Sequence, residues 1–467
     1  MRFFNRVQWL YVGAVTLFTP LAMDASLALR IFSIPKLITM HSVTALGLGA
    51  LLLPSSAQFF QRVLQRPKFP RYFLWFVAAY LSWLGLTTLT AQEPARSWLG
   101  SYQWSLGLFT QLGLWALAWL TFLTISNEQI SQWLYRIAIL GSIPVIAYGL
   151  IQYLGLDWVR WILPAKGVAF STLGNPNFLG GYLSIIIPLT LNACLESKRR
   201  LHRLAWSVLL IAQLGCLWET YCKSAMIAVA VSSALLLWQH WRFDWRVFFM
   251  VASTLVVASL IVSAALGIYG EGLGMVYLSV NPTQNRLFAW ATAYNAVAAR
   301  PLLGWGLSSF DLILPAYATP GLIYQQAVYE LNWLTFDRAH NLWWELAVET
   351  GLPGVILWLT LFGALLYMML RSTESQPLLR GRLVAAVAAL ISYSLHQLFN
   401  PSDIGSVTIF WWLVGWTLGT AFLPNDSETV IVQPFIQPDG AILLSQIFFL
   451  VTVFGTGYGL WQWALMK

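Results

Sequence analysis

Thirteen segments of this chain are apolar over about the length, roughly 20 residues, that an α-helix needs to cross a lipid bilayer. Their apolar residues run continuously instead of alternating with polar ones, which indicates helices and disfavours a membrane β-barrel. The segments are residues 7–29, 37–53, 72–91, 99–125, 133–154, 177–195, 204–220, 223–239, 246–269, 353–371, 382–400, 405–423 and 442–463. The predicted fold class is therefore all-α, a polytopic membrane helix bundle of about 12 to 13 spans.

The scarcity of charge supports the same interpretation. Only 9% of the residues are charged, against about 25% in a typical soluble domain. So few charges could not cover the surface of a soluble globule, which excludes soluble enzymes, disordered chains and nucleic-acid modules. The excess of 26 Lys and Arg over 18 Asp and Glu is then a feature of membrane topology, and we expect membrane lipids and no nucleic acid as partners.

The positive residues are distributed unevenly between alternate loops. Sixteen of the 26 fall on the side of the N-terminus, including the short clusters Arg62–Arg71 and Lys198–Arg203. Because cytoplasmic loops of membrane proteins are enriched in Lys and Arg, the N-terminus is predicted to be cytoplasmic.

One connection is much longer than the others and divides the chain. The predicted organisation is residues 1–269 with transmembrane helices 1 to 9, a large loop over 270–352, and C-terminal transmembrane helices over 353–467. By parity the loop faces away from the cytoplasm. Its apolar residues recur at helical spacing over Gln284–Arg300, and Asn341–Thr350 reads as a second short helix.

Several polar residues lie where a membrane does not readily tolerate them, which makes them candidates for function. Lys223, Arg286, Arg338 and His340 all map to the outer boundary. Arginine and lysine hold phosphate oxygens, and a histidine can take a hydroxyl proton at neutral pH. Together they predict a cationic pocket for a phosphate-bearing lipid and an alcohol acceptor. The same face also carries Asn175, Asn177, Asn341, Glu349, His396 and Asp403.

No metal or cofactor site is expected from the residues. The three cysteines, Cys194, Cys216 and Cys222, are scattered through apolar sequence, as small core residues are. An Asp-x-Asp motif is absent, which fits a mechanism without a divalent cation.

The combination of motifs resembles the O-antigen ligase/polymerase family. An Arg286-x-x-x-Trp290 helix, the turn Arg300-Pro-Leu-Leu-Gly-Trp-Gly306, Ala339-His-Asn341 and the segment from Glu349 to Gly354 follow the signature of that family's large loop. The likeness also includes Gly174-Asn-Pro-Asn177, and this element looks closest to the cyanobacterial branch labelled as inorganic-carbon (bicarbonate) transporters. Where the family usually has Ser-Arg-Gly, this chain has Cys222-Lys223-Ser224.

The resemblance implies a GT-C-like, metal-independent and inverting glycosyltransferase of the bacterial inner membrane, with its large loop in the periplasm. Such enzymes transfer a glycan from undecaprenyl diphosphate to a hydroxyl of lipid A core, another glycan or a protein. Carried over by motif, Arg286 and Lys223 bind the diphosphate, and His340 deprotonates or orients the acceptor. We further infer, not as a feature of the family, that Arg338 is close enough to compensate for the lysine at position 223.

Two other functions are compatible with the same residues. In a transporter for bicarbonate or another small anion, the cations would form a permeation site, although such proteins usually show internal repeats and broken helices at mid-membrane depth. A lipid-glycan flippase or scaffold would need a cationic cavity that reaches both leaflets.

Overall fold

A computed structural model describes residues 2–27, 30–52, 70, 72–159, 161, 167–241, 244–272, 282–320, 322–323, 336–376, 379–423 and 438–467. Within these ranges every regular element is helical. The predicted basic cluster Arg62–Arg71 lies outside the described residues except for Pro70, and so do residues 273–281 and 424–437.

The described helices, numbered in chain order, are α1 Arg2–Leu21, α2 Ser33–Leu51, α3 Tyr72–Leu89, α4 Pro94–Leu99, α5 Leu108–Thr124, α6 Glu128–Leu140, α7 Ser142–Tyr153, α8 Pro176–Glu196, α9 Arg200–Trp218, α10 Lys223–Trp241, α11 Trp245–Gly272, α12 Pro282–Ala299, α13 Phe310–Tyr317, α14 Leu342–Ser375, α15 Arg380–His396, α16 Ile404–Ala421 and α17 Pro438–Leu465. A short 3-10 turn at Ser171–Leu173 precedes α8. Nine spans, counted over the described residues and with α6 and α7 taken together, are long and apolar enough to cross a membrane. The chain is thus a multi-pass membrane protein.

Each of the thirteen predicted spans overlaps a helix, but two have the wrong bounds. The span predicted over 99–125 begins only at Leu108, because residues 100–107 form a turn between α4 and α5. Gly100 has a φ of 89° there, and a Cβ atom would lie 2.4 Å from the Leu106 nitrogen, so the turn requires glycine. The first span, predicted to extend to residue 29, ends at Leu21.

The core of the bundle is formed by α8 and α16, which are the most completely buried of the apolar helices. Helix α8 packs on α15, and α16 packs on α5. Small residues allow this close approach: a Cβ atom at Gly415 would lie 2.3 Å from the backbone oxygen of Ala118. The central helices therefore form a rigid support for the loops at their ends.

The large connection folds onto one end of the bundle with a hydrophobic cluster of its own. Its buried members include Phe288 and Trp290 of α12, Phe310 of α13 and Trp343 of α14. The predicted loop helix over 284–300 is confirmed as α12, with its start two residues earlier. We call the end of the bundle that carries residues 336–341 and 396–403 the loop end.

Helix α14 combines the predicted second loop helix with the following membrane span. Its backbone is non-helical at Gly351, where φ is 68° and ψ is 178°. Residues 342–350 are therefore one short helix, and the apolar span starts after the bend, as the Gly351–Gly354 sequence predicts.

Candidate active site

Two turns that are distant in sequence are joined by hydrogen bonds at the loop end. The amide of Asn341 donates to the backbone oxygen of Leu398 at 3.0 Å, and the Leu342 nitrogen donates to the oxygen of Gln397 at 3.0 Å. These bonds bring the Ala339–Asn341 turn against the end of α15. The two predicted histidine segments, around His340 and His396, therefore meet in one region.

Helix α12 holds Arg286 beside that junction. The indole nitrogen of Trp290 donates to the backbone oxygen of Ala339 at 3.0 Å. Arg286 lies one helical turn before Trp290 and so shares its face. Its charge acts electrostatically on His340 and on His396, and burial lowers the pKa of the Arg286 guanidinium. The Arg-x-x-x-Trp motif thus places the cation and fixes the histidine turn with the same helix face.

His340 is held in a strained and largely enclosed position. Its φ of 52° lies in the left-handed region, which few non-glycine residues adopt. Its Nδ1 atom is buried without a hydrogen-bond partner among the described residues. Burial, together with the charges of Arg286 and Arg338, lowers the pKa of His340 to about 3. The imidazole is therefore neutral at physiological pH, and one of its two ring nitrogens carries a lone pair.

Arg338 lies two residues before His340 and is anchored by several contacts. Its Nη1 donates to the backbone oxygen of Ser402 at 2.7 Å, and its Nε is 3.8 Å from Glu345 Oε1. The guanidinium carbon lies 5.3 Å from the centre of the Trp104 ring. Because one carboxylate only partly offsets two guanidinium groups, Arg338 and Arg286 leave the surroundings of His340 positive.

His396 belongs to a buried polar group that the sequence did not indicate. Its Nδ1 is 3.2 Å from Ser224 Oγ and 3.9 Å from Cys222 Sγ. Asn400 donates to Ser224 Oγ at 2.7 Å, and His396 also hydrogen-bonds to the backbone of Asn177. No pattern in the sequence indicates Ser224, because the direction of a side chain at a helix start is set by packing.

Lys223, by contrast, has an exposed side chain at the start of α10. Its neighbours Cys222 and Ser224 face His396, whereas no contact joins Lys223 to Arg286 within the described residues. The structure therefore does not bring Lys223 into the enclosed group formed by Arg286, Arg338 and His340.

Three of the predicted pocket residues cap helices. Asn175 accepts from the nitrogen of Asn177 at the start of α8, and Asn341 accepts from two nitrogens at the start of α14. Asp403 accepts from the Gly405 and Ser406 nitrogens at the start of α16. Such caps fix the turns of the loop end in position, and Asn175 and Asp403 still border open space beside Trp104.

Glu349 fixes the Arg-Pro-x-x-Gly-x-Gly turn. Its Oε1 accepts from the Ser308 nitrogen at 2.6 Å, and its backbone oxygen accepts from Gly306 at 3.0 Å. Glu349, Glu345 and Arg338 also line a cavity of about 120 Å³ with Asn400 and Ser402. The cavity adjoins the histidine turn and is polar enough to hold water.

No group of three His, Cys, Asp or Glu residues is arranged to hold a metal ion in the described part of the chain. The chemistry that the arrangement supports is thus the stabilisation of an anion by Arg286 and Arg338, next to a neutral imidazole.

Comparison with known proteins identifies one matching family. The family model described as O-antigen ligase matches residues 207–359, about a third of the chain, which include Ser224, Arg286, His340 and Glu349. No curated protein matches the chain. The match supports the O-antigen ligase/polymerase family and a membrane enzyme of glycosyltransferase type, which acts in general on a lipid-linked glycan donor and a glycan acceptor. It does not single out the cyanobacterial branch.

Proposed function

We propose that the protein transfers a glycan from undecaprenyl diphosphate to a hydroxyl group, with inversion at the anomeric carbon and without a metal ion. The acceptor is lipid A core, another glycan or a protein, and the reaction takes place at the periplasmic face of a bacterial inner membrane. The observation that carries the proposal is that His340, held in a left-handed turn, lies within the electrostatic reach of both Arg286 and Arg338.

The donor diphosphate would lie against Arg286. A guanidinium forms two parallel hydrogen bonds to phosphate oxygens, and a partly buried one acts in a low dielectric where its charge is least screened. Lys223 is proposed to contact the same diphosphate from the exposed start of α10, and Arg338 adds positive charge near His340. These cations stabilise the negative charge that develops on the leaving group.

His340 would take the acceptor proton. With the buried Nδ1 protonated, Nε2 offers a lone pair to the acceptor O–H group. As the proton moves to Nε2, the acceptor oxygen forms a bond to the anomeric carbon from the face opposite the diphosphate. The bond between that carbon and the diphosphate oxygen breaks, and its electron pair leaves with undecaprenyl diphosphate. Attack from the opposite face accounts for inversion.

Substitution of His340 tests this assignment. The suitable variant is His340→Asn, because asparagine tolerates the left-handed backbone that alanine does not. We expect transfer to fall by roughly 10²- to 10⁴-fold, the usual contribution of a positioned base. The measurement is glycan transfer from an undecaprenyl-diphosphate-linked donor by protein in nanodiscs. The matched control is His202→Asn, on the exposed face of α9. Transfer by His340→Asn at the wild-type rate would exclude His340 as the base.

Substitution of Arg286 tests the donor site separately. Arg286→Lys keeps the charge but removes the two parallel hydrogen bonds, so we expect weaker donor binding as well as slower transfer. Arg199→Lys is the control, since Arg199 is exposed outside the site. Unchanged donor affinity in Arg286→Lys would show that Arg286 only positions the loop. Uptake of bicarbonate into liposomes by a protein without transfer activity would instead support the transporter hypothesis.

A further inference from the structure

A second, larger cavity lies at the loop end next to Trp104. It has a volume of about 600 Å³, and its lining includes Arg30, Lys36, Tyr102, Trp104, Asn175 and Asp403. We call it the Arg30 cleft. Its volume falls in the range of ordinary ligand sites, and it combines aromatic surface with a few charged and amide groups.

The walls of the Arg30 cleft suit a sugar. The guanidinium carbon of Arg30 lies 5.1 Å from the centre of the Tyr102 ring, and that of Arg338 lies 5.3 Å from the centre of the Trp104 ring. Tyr102 is nevertheless exposed and Trp104 is half-buried, so parts of both rings remain accessible to a ligand. Asn175 and Gln103 supply amides, and these groups can donate to and accept from hydroxyls. Rigid aromatic rings beside adaptable hydrogen-bonding groups are the combination that a polyhydroxylated ring with apolar faces requires.

The charges of the cleft favour an anion. Lys36 is buried, donates to the backbone oxygens of Ala22 and Thr172, and its charge is offset by Asp403. Arg30 is hydrogen-bonded to neutral groups, Gln462 and Ser105, and no carboxylate lies within ion-pair distance of it among the described residues. Burial lowers the pKa of Arg30 to about 10, so it stays charged at neutral pH. A partly buried cation without a carboxylate partner is costly unless a ligand supplies the negative charge.

Trp104 connects the cleft to the reaction centre. Its indole nitrogen donates to Asp337 Oδ2 at 2.5 Å, and Arg338 lies over its ring. Arg338, which precedes His340 by two residues, is therefore in contact with the wall of the Arg30 cleft. If the donor diphosphate lies at Arg286, the cleft is a place where an acceptor can be held near His340.

We propose that the Arg30 cleft is the acceptor site and that it selects a sugar with an anionic substituent, a carboxylate or a phosphate. As an acceptor site it rests on the proposed transferase function, but its affinity for acidic sugars can be measured without any transfer.

The test measures binding of small sugars to the wild-type protein in phosphatidylcholine nanodiscs. The probes are glucuronic acid, glucose 6-phosphate, glucose, glycerol 3-phosphate and inorganic phosphate. Their binding is measured by saturation-transfer NMR. We expect the two acidic sugars to bind about tenfold more tightly than glucose, because Arg30 lacks an ionic partner. Equal affinity for glycerol 3-phosphate would indicate a lipid-headgroup site, and equal affinity for inorganic phosphate a simple anion site. Either result would overturn the proposal.

Asn175→Asp is the decisive variant because it preserves the helix cap. Aspartate accepts the same bond from Asn177 and is favourable at a helix N-terminus, so folding should be retained. Its added negative charge should weaken acidic-sugar binding about tenfold while leaving glucose binding nearly unchanged. Asn127→Asp is the matched control: Asn127 caps α6 beyond the far end of α5, about 25 Å from the cleft.

A second variant, Arg30→Gln, should give the same loss with the side-chain length nearly preserved. Wild-type affinity for acidic sugars in both Asn175→Asp and Arg30→Gln would exclude the cleft as their site. Arg286→Lys should bind these probes normally. If Arg286→Lys binds the probes normally but the wild-type protein shows no glycan transfer, the proposed function is wrong and the sugar site is retained. If transfer occurs and the cleft variants bind the probes unchanged, only the cleft assignment fails.

Discussion

A single residue, His340, concentrates several unfavourable features that stability alone does not explain. Its left-handed backbone costs about 1–2 kcal/mol relative to an ordinary conformation. Its Nδ1 is buried without a partner in the described structure, and two guanidinium groups oppose its protonation. Such features persist where the surrounding structure holds them in place, and they cluster at functional sites. They support the choice of His340 as the reacting imidazole.

The low pKa of His340 predicts how stability depends on pH. In the folded protein its pKa is about 3, against 6.5 for a free imidazole. Below pH 6.5 the unfolded chain therefore binds a proton at His340 that the folded chain does not bind. The free energy of unfolding decreases as the pH falls, because protonation stabilises the unfolded state. The loss should approach 1.4 kcal/mol for each pH unit between 6.5 and about 3.

The measurement compares the unfolding temperatures of the wild type and His340→Asn between pH 7.5 and 4.5. As the pH falls, the unfolding temperature of the wild type should decrease relative to that of His340→Asn, because asparagine does not titrate. A difference that is constant across this range would show that folding does not lower the pKa of His340.

At this scale the sequence indicates which residues belong to the site better than it indicates the direction in which their side chains point. Arg286 and His340 could be selected because both belong to recognisable motifs and both fall at the loop end. Ser224 and Asn400 could not, since their role depends on which way a helix start and a turn face. Lys223 was selected by motif position, yet its side chain is exposed. The direction of a side chain at a helix terminus is set by packing, which one sequence does not contain.

At the scale of elements, hydrogen bonds join the turn of residues 300–306 to residues 348–352 of α14, with three glycines in the two segments. We call this contact the interlock. The Trp305 nitrogen donates to the Val348 oxygen at 2.8 Å, and the Leu352 nitrogen donates to the Pro301 oxygen at 2.8 Å. Gly304, Gly306 and Gly351 all have positive φ values. The motif pattern predicted turns here, but not that the turns of residues 300–306 and 349–352 bind one another. This contact positions Glu349 and, through it, the Ser308 backbone.

Gly351→Ala should therefore break the interlock. A Cβ atom at Gly351 would lie 2.1 Å from the Leu302 oxygen, and φ is 68°. We expect a loss of at least about 2 kcal/mol in stability, together with reduced transfer. Gly363→Ala on the same helix is the matched control, because nothing lies within 4 Å of its added Cβ. Thermal unfolding in detergent checks both, and equal unfolding temperatures for the two variants would contradict the interlock.

At the scale of the whole molecule, the two ends of the bundle differ in charge and in structure. At the end opposite the loop end, Arg382 forms ion pairs with Glu128 and Glu196, which ties the ends of α6, α8 and α15 together. The basic cluster Lys198–Arg203 directly follows α8 at this end. The loop end instead carries the candidate active site and the Arg30 cleft. Hydrophobicity along the chain was sufficient to predict the bundle, because each span has to satisfy its backbone hydrogen bonds alone.

The charge asymmetry predicts the orientation on which the substrate assignment depends. The end with Lys198–Arg203 should be cytoplasmic and the loop end periplasmic.

All three native cysteines are buried, so single introduced cysteines can be labelled over a low background. Leu302→Cys, at an exposed position of the loop, should react with a membrane-impermeant maleimide in intact spheroplasts. His202→Cys, exposed in α9, should react only after the membrane is permeabilised. The opposite pattern would place Arg286 and His340 at the cytoplasmic face, where a periplasmic acceptor could not reach them.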